Sequence, residues 1–285
     1  MTLRVALLGK PLKRRHSVVM HNAAFEAAGI DARYELLELE PEAVEGAVTA
    51  ARGPEYLGLG VTAPYKKVVA SLVDEVEPDA ARIGAVNNVV RSDDGRLIGI
   101  NTDAPGFRAG GELAMGRSLS GAAVVVVGSG GVAHAIVYAC LDAGALRLTV
   151  AGRNPDHART LVERFDRDGQ ASRRATSLTD PSFPDDLMTA DLVVNATTVG
   201  MIDPGPPFPV EALDDRATVF DCVYVPAETP LLAAARARGL RAANGSEMLI
   251  AQAAAAFERW TGVGGMADVM RAAVQPLFDD ATVRA

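Results

Sequence analysis

The sequence predicts an α/β protein of two domains, on three observations. Its 285 residues are more than one core usually spans. Strand-like and helix-like stretches alternate through the first hundred residues, the pattern of an α/β fold. A run of four valines, Val124–Val127, leads directly into Gly128-Ser129-Gly130-Gly131 and a helix, as a βαβ unit does.

In the N-terminal part, strands are read at Val5–Leu8, Tyr34–Leu39, Tyr56–Val61, Val86–Val90 and Leu97–Asn101. Ser17 is placed to cap a helix that ends at Gly29, and Pro41 sits where a first helical turn tolerates it. Asp94-Gly95 signals a hairpin between the last two strands, so this part should end in an antiparallel edge. The second unit begins near Gly121 with strand Ala122–Val127, a helix to Ala143, strand Leu146–Ala151 and a helix from Pro155. It continues with strand Leu192–Asn195, a Gly/Pro-rich loop from Gly200 to Pro209, strand Val219–Val223 and an alanine-rich helix Pro230–Arg238. Ser246–Trp260 and Ala267–Phe278 read as two further helices.

A net charge of -8, 22% charged and 49% hydrophobic residues describe a globular chain without the basic excess of a nucleic-acid binder. Cys140 and Cys222 are far apart and lack the spacing of a disulfide framework or a zinc site. The apolar runs Val5–Leu8 and Ala122–Val127 fall well short of the roughly 18 residues of a membrane span. The expectation is a soluble, cytoplasmic protein with no membrane or nucleic-acid partner, acting as a monomer or homodimer.

Backbone amides of Gly128, Ser129, Gly130 and Gly131, at the opening of a helix, can face a pyrophosphate. The pattern is GxGGxA rather than GxGxxG. After the second strand of this unit an NAD enzyme usually carries an acid for the ribose hydroxyls; here Ala151-Gly152-Arg153-Asn154 offers none before Asp156. That favours NADP over NAD, with Arg153 pairing with a 2′-phosphate. Oxidising a secondary alcohol needs a group that accepts the hydroxyl proton as hydride leaves. Two polar clusters at predicted strand ends, Val61-Thr62-Ala63-Pro64-Tyr65-Lys66 and Asn101-Thr102-Asp103, can supply it through Lys66 and Asp103.

The ordered set Gly9-x-Pro11, Ser17, His21, Val61-Thr62-x-Pro64-x-Lys66, Gly84-Ala85-Val86-Asn87, Asn101-Thr102-Asp103, Gly128-x-Gly130-Gly131, Asn195-Ala196-Thr197-Thr198-x-Gly200-Met201 and Gly245-x-x-Met248-x-x-x-Gln252 resembles the shikimate/quinate dehydrogenase family over nearly the whole chain. The resemblance implies a substrate-binding and catalytic domain over residues 1–103 with a mixed sheet. It implies a Rossmann NADP-binding domain over 104–245, and C-terminal helices, 246–285, returning to the substrate domain. It also implies Lys66 and Asp103 as the catalytic pair, with lysine the proton acceptor. Arg15, Ser17, Thr62, Asn87, Tyr224 and Gln252 fall where the family contacts substrate. Thr197, Cys222, Gly245 and Met248 fall where it lines the cofactor, although Met248 and Cys222 also suit plain packing, and Tyr224 has the alternative of a core tyrosine with a satisfied hydroxyl. The implied reaction is reversible hydride transfer between NADP(H) and a small cyclic polyhydroxy carboxylate, shikimate to 3-dehydroshikimate, a step of aromatic amino acid biosynthesis.

Departures fall on the substrate side. Arg15 stands where the family usually has a second serine, Val18 where it has proline, Gly60 where it has asparagine before Val61-Thr62, and Asn88 where it has threonine. An arginine can bind a carboxylate or simply belong to the basic loop Lys13-Arg14-Arg15. These positions open a second reading, the same chemistry on quinate or a related hydroxy- or amino-cyclohexane(ene) carboxylate. A third, a non-catalytic dinucleotide-binding regulatory module, is opposed by the presence of both Lys66 and Asp103. No GxSxG elbow points to a hydrolase. His16, His21, His134 and His157 lack metal-ligand spacing, so no metal is expected.

Overall fold

The computed structural model describes residues 2–165, 171–201 and 205–283; residues 202–204 of the expected Gly200–Pro209 loop lie outside the described residues. The chain divides into two compact units, Met1–Asp103 with Ile250–Leu277, and Ala104–Leu249 with the chain from Phe278 on.

The first unit runs β1 (Leu3–Gly9), α1 (His16–Ala27), β2 (Ala32–Glu38), α2 (Val44–Ala50), β3 (Tyr56–Val61), α3 (Lys66–Ala70), β4 (Glu75–Val76), α4 (Pro78–Ile83), β5 (Asn88–Arg91) and β6 (Leu97–Ile100). Its sheet has the order β2-β1-β3-β5-β6-β4. β1 lies parallel to both β2 and β3, whereas β3, β5 and β6 alternate in direction, so the sheet is mixed. Gly95, at φ +83°, turns the β5–β6 hairpin, and Gly95 N–H donates to Ser92 O at 2.9 Å. This hairpin is not the edge that was expected. β4 pairs in parallel with β6 and covers it through two residues, Glu75 and Val76, too short a stretch to show a period. α1 also starts a residue before Ser17, with Arg15 at the cap position and no side-chain cap. Ser17 therefore sits inside the first turn, and Gly29, at φ +66°, follows the helix end as expected.

The second unit opens with α5 (Asp103–Met115), whose first residue ends the first unit, then β7 (Ala123–Val127), α6 (Gly131–Asp142), β8 (Arg147–Gly152), α7 (Pro155–Arg164), β9 (Ser172–Ser177), α8 (Phe183–Met188), β10 (Leu192–Asn195), β11 (Thr218–Asp221), α9 (Pro230–Ala237) and β12 (Arg241–Asn244). All six strands are parallel in the order β12-β11-β10-β7-β8-β9. That is the doubly wound arrangement, with its reversal of winding between β7 and β10. Helices cover both faces, so the central strands read as unbroken apolar runs, Val124–Val127 and Leu192–Val194, all at most 3% exposed. β9 and β12, each paired on one side only, are the polar Ser-Arg-Arg-Ala-Thr-Ser and Arg-Ala-Ala-Asn. Charged edges of this kind resist pairing with another chain.

α10 (Ser246–Thr261) and α11 (Ala267–Val283) complete the chain. α10 is bound to the first sheet through Trp260, whose indole Nε1–H donates to Val89 O at 3.0 Å. The ring can lie that close because residue 58 is glycine: a Cβ there would stand 2.7 Å from Trp260 Nε1 and 2.0 Å from Val89 O. Arg259 adds a two-pronged contact to Glu77, at 3.1 and 2.5 Å. Under α10, Phe257 packs on Phe25 with centroids 5.0 Å apart, and His21 stacks on Tyr34 at 4.4 Å with Trp260 5.1 Å away. The opposite face of the sheet packs Leu8, Leu59 and Val61 against Val44, Val48 and Val69. Among the described residues no helix is long and apolar enough to cross a membrane.

His21 is 2% exposed, and burial among these rings drives its pKa from 6.5 down to about 3. The unfolded chain takes up this proton near pH 6.5 and the folded chain only near pH 3. The neutral imidazole therefore stabilises the fold fully above 6.5 and progressively less as pH falls through that interval. Urea melts from about pH 7 to about pH 4 should show a slope from this group of roughly 1 kcal/mol per pH unit that His21→Phe abolishes. An unchanged slope in the variant would mean the imidazole does not titrate on unfolding.

Candidate active site

The chain leaves β3 in a tight turn: Thr62 N–H donates to Leu8 O at 2.8 Å and Tyr65 N–H to Thr62 O at 3.0 Å. The Tyr65 ring, 3% exposed, is tied by its hydroxyl to Leu39 O at 2.6 Å, which leaves Lys66 as the first residue of α3. Beyond β6, Asn101 accepts from Asp103 N–H through Oδ1 at 3.0 Å, and its amide donates to Ala85 O at 2.9 Å. That side-chain turn starts α5 with Asp103 in its first turn, where a carboxylate suits the helix N-terminus.

These two turns bring Lys66 Nζ to 2.5 Å from Asp103 Oδ2, with side chains 21% and 12% exposed. The other carboxylate oxygen, Oδ1, accepts from Asn87 Nδ2 at 2.8 Å. Asn87 Nδ2 also reaches Thr102 Oγ1 at 3.1 Å, and Thr102 N–H returns a bond to Asn87 Oδ1 at 2.8 Å. Asn88, beside it, donates to Asn87 Oδ1 at 3.0 Å and to Thr102 Oγ1 at 2.8 Å. From α10, Gln252 brings Oε1 to 3.4 Å from Thr102 Oγ1. A lysine held against a carboxylate that is itself fully bonded is equipped to pass a proton to and from a third group placed at Nζ.

Thr62 packs against the end of β1, where a Cβ on Gly9 would stand 2.4 Å from its Cγ2. Arg15 does not join this cluster. It is exposed and, with Val18, Asn22 and Glu26 along one face of α1, lines an open groove of about 660 Å³ that runs beside β2. The spacing of three, four and four residues from Arg15 fixes that direction. Nor does Gly60 leave a gap: a side chain there would begin 2.5 Å from the Tyr34 hydroxyl, so Tyr34 of β2 already fills the space.

In the second unit, Gly128 sits at φ +116°, and a Cβ on it would meet Thr197 Cγ2 at 2.9 Å and Ala196 C at 3.0 Å. The loops after β7 and β10 therefore touch at the point where the winding reverses. Gly130 and Gly131 are exposed, a Cβ on either would have nothing within 4 Å, and no side chain caps α6. Close-packed beneath and open above, this turn fits a pyrophosphate held by backbone amides. Arg153 is exposed directly after β8, and a Cβ on the adjoining Gly152 would lie 3.7 Å from Ser129 Oγ, which puts the arginine at the same end of the sheet. Asp156 is paired with Arg159 at 3.1 Å in the first turn of α7, leaving the ribose position after β8 without a carboxylate of its own. Gly245 is required by close approach, since a Cβ would stand 2.4 Å from Cys222 O. Met248 is 7% exposed, and the Tyr224 ring meets Phe278 edge-on at 6.1 Å.

Family models match along the chain: the shikimate dehydrogenase substrate binding domain over residues 7–89, shikimate/quinate 5-dehydrogenase over 112–201, and the shikimate 5′-dehydrogenase C-terminal domain over 245–275. A shikimate dehydrogenase (NADP(+)) of Geobacillus kaustophilus is 39% identical over 90% of this chain and 91% of its own length. The chain belongs to the shikimate/quinate dehydrogenase family. Among solved structures of similar fold is the shikimate 5-dehydrogenase of Thermus thermophilus in complex with NADP(H) and shikimate, at TM-score 0.85 and 36% identity, covering 96% of this chain and 99% of that one. Another is the quinate dehydrogenase of Corynebacterium glutamicum in complex with NAD, at TM-score 0.89 and 33% identity, covering 96% and 99%.

The sequence reading singled out Asn195 only as part of a motif, and passed over Asp221 and Thr229. Asp221, fully buried, accepts from Asn195 Nδ2 at 2.9 Å, Val223 N–H at 3.0 Å and Thr229 Oγ1 at 2.7 Å. Asn195 Oδ1 in turn takes both Thr197 N–H at 3.1 Å and Thr197 Oγ1 at 2.6 Å. The carboxylate thus braces the Thr197 loop of this family member from below. Its signal, an aspartate closing an otherwise apolar strand Thr-Val-Phe-Asp, is legible only once the neighbour at Asn195 is known.

Burial, partly offset by those three bonds, raises the Asp221 pKa above 3.8. The folded chain holds this proton more tightly than the unfolded one, so the group costs stability as pH rises above 3.8. Relative to the parent, Asp221→Asn should therefore unfold at a urea midpoint that improves as pH rises from 3.8 through the higher pKa of the folded carboxyl. A difference that stays flat over that range would show that the carboxylate is as well satisfied inside as in water.

Proposed function

We propose that this chain is an NADP-dependent oxidoreductase that interconverts shikimate and 3-dehydroshikimate in the cytoplasm, as a monomer or homodimer. The observation that carries the reading is the Lys66–Asp103 pair, held at 2.5 Å in a chain whose relatives are shikimate dehydrogenases (NADP(+)). Bound NADP supplies the acceptor for the hydride that leaves the substrate carbon. Lys66 takes the hydroxyl proton in that step and returns it in the reverse direction. Asp103 stabilises the ammonium that forms when the neutral amine of Lys66 takes this proton, and fixes its approach. Asn87, Gln252, Thr62 and Ser17 bind the hydroxyls and carboxylate of the substrate, and Tyr224 a further hydroxyl. Arg15, on the α1 groove, is left out of this set. Gly128–Gly131 hold the pyrophosphate, Arg153 the 2′-phosphate, and Thr197, Cys222, Gly245 and Met248 line the nicotinamide half.

Support for NADP comes from the absence of an acid after β8 beside an exposed Arg153. One second reading, quinate or a related hydroxy- or amino-cyclohexane(ene) carboxylate, draws on Gly60 standing where the family has asparagine, with the Tyr34 hydroxyl against it.

Initial rates of nicotinamide reduction with shikimate, quinate and an amino analogue, each with NADP and NAD, separate these readings. Shikimate with NADP should be fastest, and faster turnover of another acid would move the assignment to that acid. Lys66→Ala should bind NADPH as the parent does while losing turnover by at least about 100-fold, the scale of a missing acid–base group; near-parental turnover would remove Lys66 from the chemistry. Arg153→Ala should weaken NADPH and leave NADH almost untouched, and an equal loss for both would refute its 2′-phosphate role.

A further inference from the structure

Asn88 lies next to the cluster, is 4% exposed, and its side chain hydrogen-bonds to Asn87 and Thr102 rather than to Lys66 or Asp103. Its amide thus joins two members of the cluster. The fixed point is a backbone group: Thr102 N–H can only donate, so the Asn87 atom 2.8 Å away must be the carbonyl oxygen. That puts the Asn87 amide on the other side, where it donates to Asp103 Oδ1 and Thr102 Oγ1. Asn88, facing the same carbonyl at 3.0 Å, must then present its own NH2, and its second hydrogen goes to Thr102 Oγ1 at 2.8 Å.

Thr102 Oγ1 now accepts two N–H groups, which use both of its lone pairs. Its hydroxyl hydrogen has to point to a third partner, and Gln252 Oε1 lies 3.4 Å away. Gln252 is thereby turned with its carbonyl towards Thr102 and its NH2 the other way. A side chain with one donor can fill only one of the two places that the Asn88 amide fills.

We propose that Asn88 is a positioning residue for the reaction at Lys66 and Asp103. Its two amide hydrogens complete the bonding of the Asn87 carbonyl already turned by Thr102 N–H and fix the hydroxyl rotor of Thr102, and through that rotor the face that Gln252 offers to the substrate. The proposal rests on the reading above in taking Asn87 and Gln252 as substrate contacts. Their orientation without substrate does not depend on that reading.

The test uses Asn88→Ala, which removes both donors, Asn88→Thr, which keeps one, and Asn88→Asp, which offers acceptors in place of donors. With shikimate and NADP, kcat/KM should fall by roughly tenfold or more in Asn88→Ala and Asn88→Asp, chiefly through KM for shikimate, while the NADPH dissociation constant stays within about twofold. Asn88→Thr should recover part of the loss. A KM for shikimate within about twofold of the parent in Asn88→Ala overturns the proposal, as does a loss that Asn88→Thr does not relieve and that NADPH binding shares. The second readout needs no turnover. In 15N-labelled protein, the side-chain NH2 signals of Asn87, assigned with Asn87→Asp, should shift and exchange faster with water in Asn88→Ala. Unchanged signals also overturn the proposal. If the parent turns over no shikimate, only the functional reading falls, and these signals still decide the role of Asn88.

Discussion

The Asp103 carboxylate accepts from Lys66 on one oxygen and from Asn87 on the other, and much of the first unit is arranged so that this can happen out of bulk water. A carboxylate with little solvent is costly unless its lone pairs are met by donors. Meeting them requires three separate chain segments to arrive together. β3 must end in the turn that starts α3 at Lys66, β6 must end in the Asn101 turn that starts α5 at Asp103, and the stretch before β5 must pass between them. Backbone bonds fix that passage: Val86 N–H donates to Lys66 O, Asn87 N–H to Ile100 O, and Val61 N–H to Asn87 O. The single antiparallel strand, β5, inserted between β3 and β6 of an otherwise parallel sheet, is what puts Asn87 beside both turns.

The second unit solves a similar problem with different parts. Its buried acid, Asp221, faces no lysine. Three neutral donors satisfy it, and it serves to hold Asn195 and the Thr197 loop rigid under the glycine turn. One unit therefore sets its buried acid against a lysine, and the other sets its buried acid among neutral donors that stiffen a loop.

How legible each was in the sequence follows from the range of the interactions. The valine strand and glycine turn are local, so the parallel sheet and the turn that opens α6 could be read from residues 122–131 and their context. Lys66 and Asp103 were legible as ends of predicted strands and, with Asn87 and Gln252, through the ordered motifs of the family. β4, β9 and β12 were not, because two of them are polar edge strands and the third is two residues long. The hydrogen-bond chain through Asn88 and Thr102 was illegible for another reason: it spans residues 87 to 252, and its polarity is set by one backbone N–H that no side-chain pattern records. The groove that Arg15 lines was not legible either, because a loop reading gives residue order but not which face of the coming helix each side chain takes.

The contact between Gly60 and Tyr34 restricts how such a chain can change over generations. The phenol cannot swing aside for a new side chain at 60, since it is buried and its ring is stacked on His21. Replacing the tyrosine first would strip the imidazole of a neighbour and open a void under α10. Residues 21, 34 and 60 are thus coupled: a side chain at 60 needs a smaller residue at 34, and that change would leave His21 without its stacked neighbour. A lineage reaching this arrangement from an asparagine at 60 would lose the larger side chain before tyrosine could settle, and the reverse journey would meet the same order backwards.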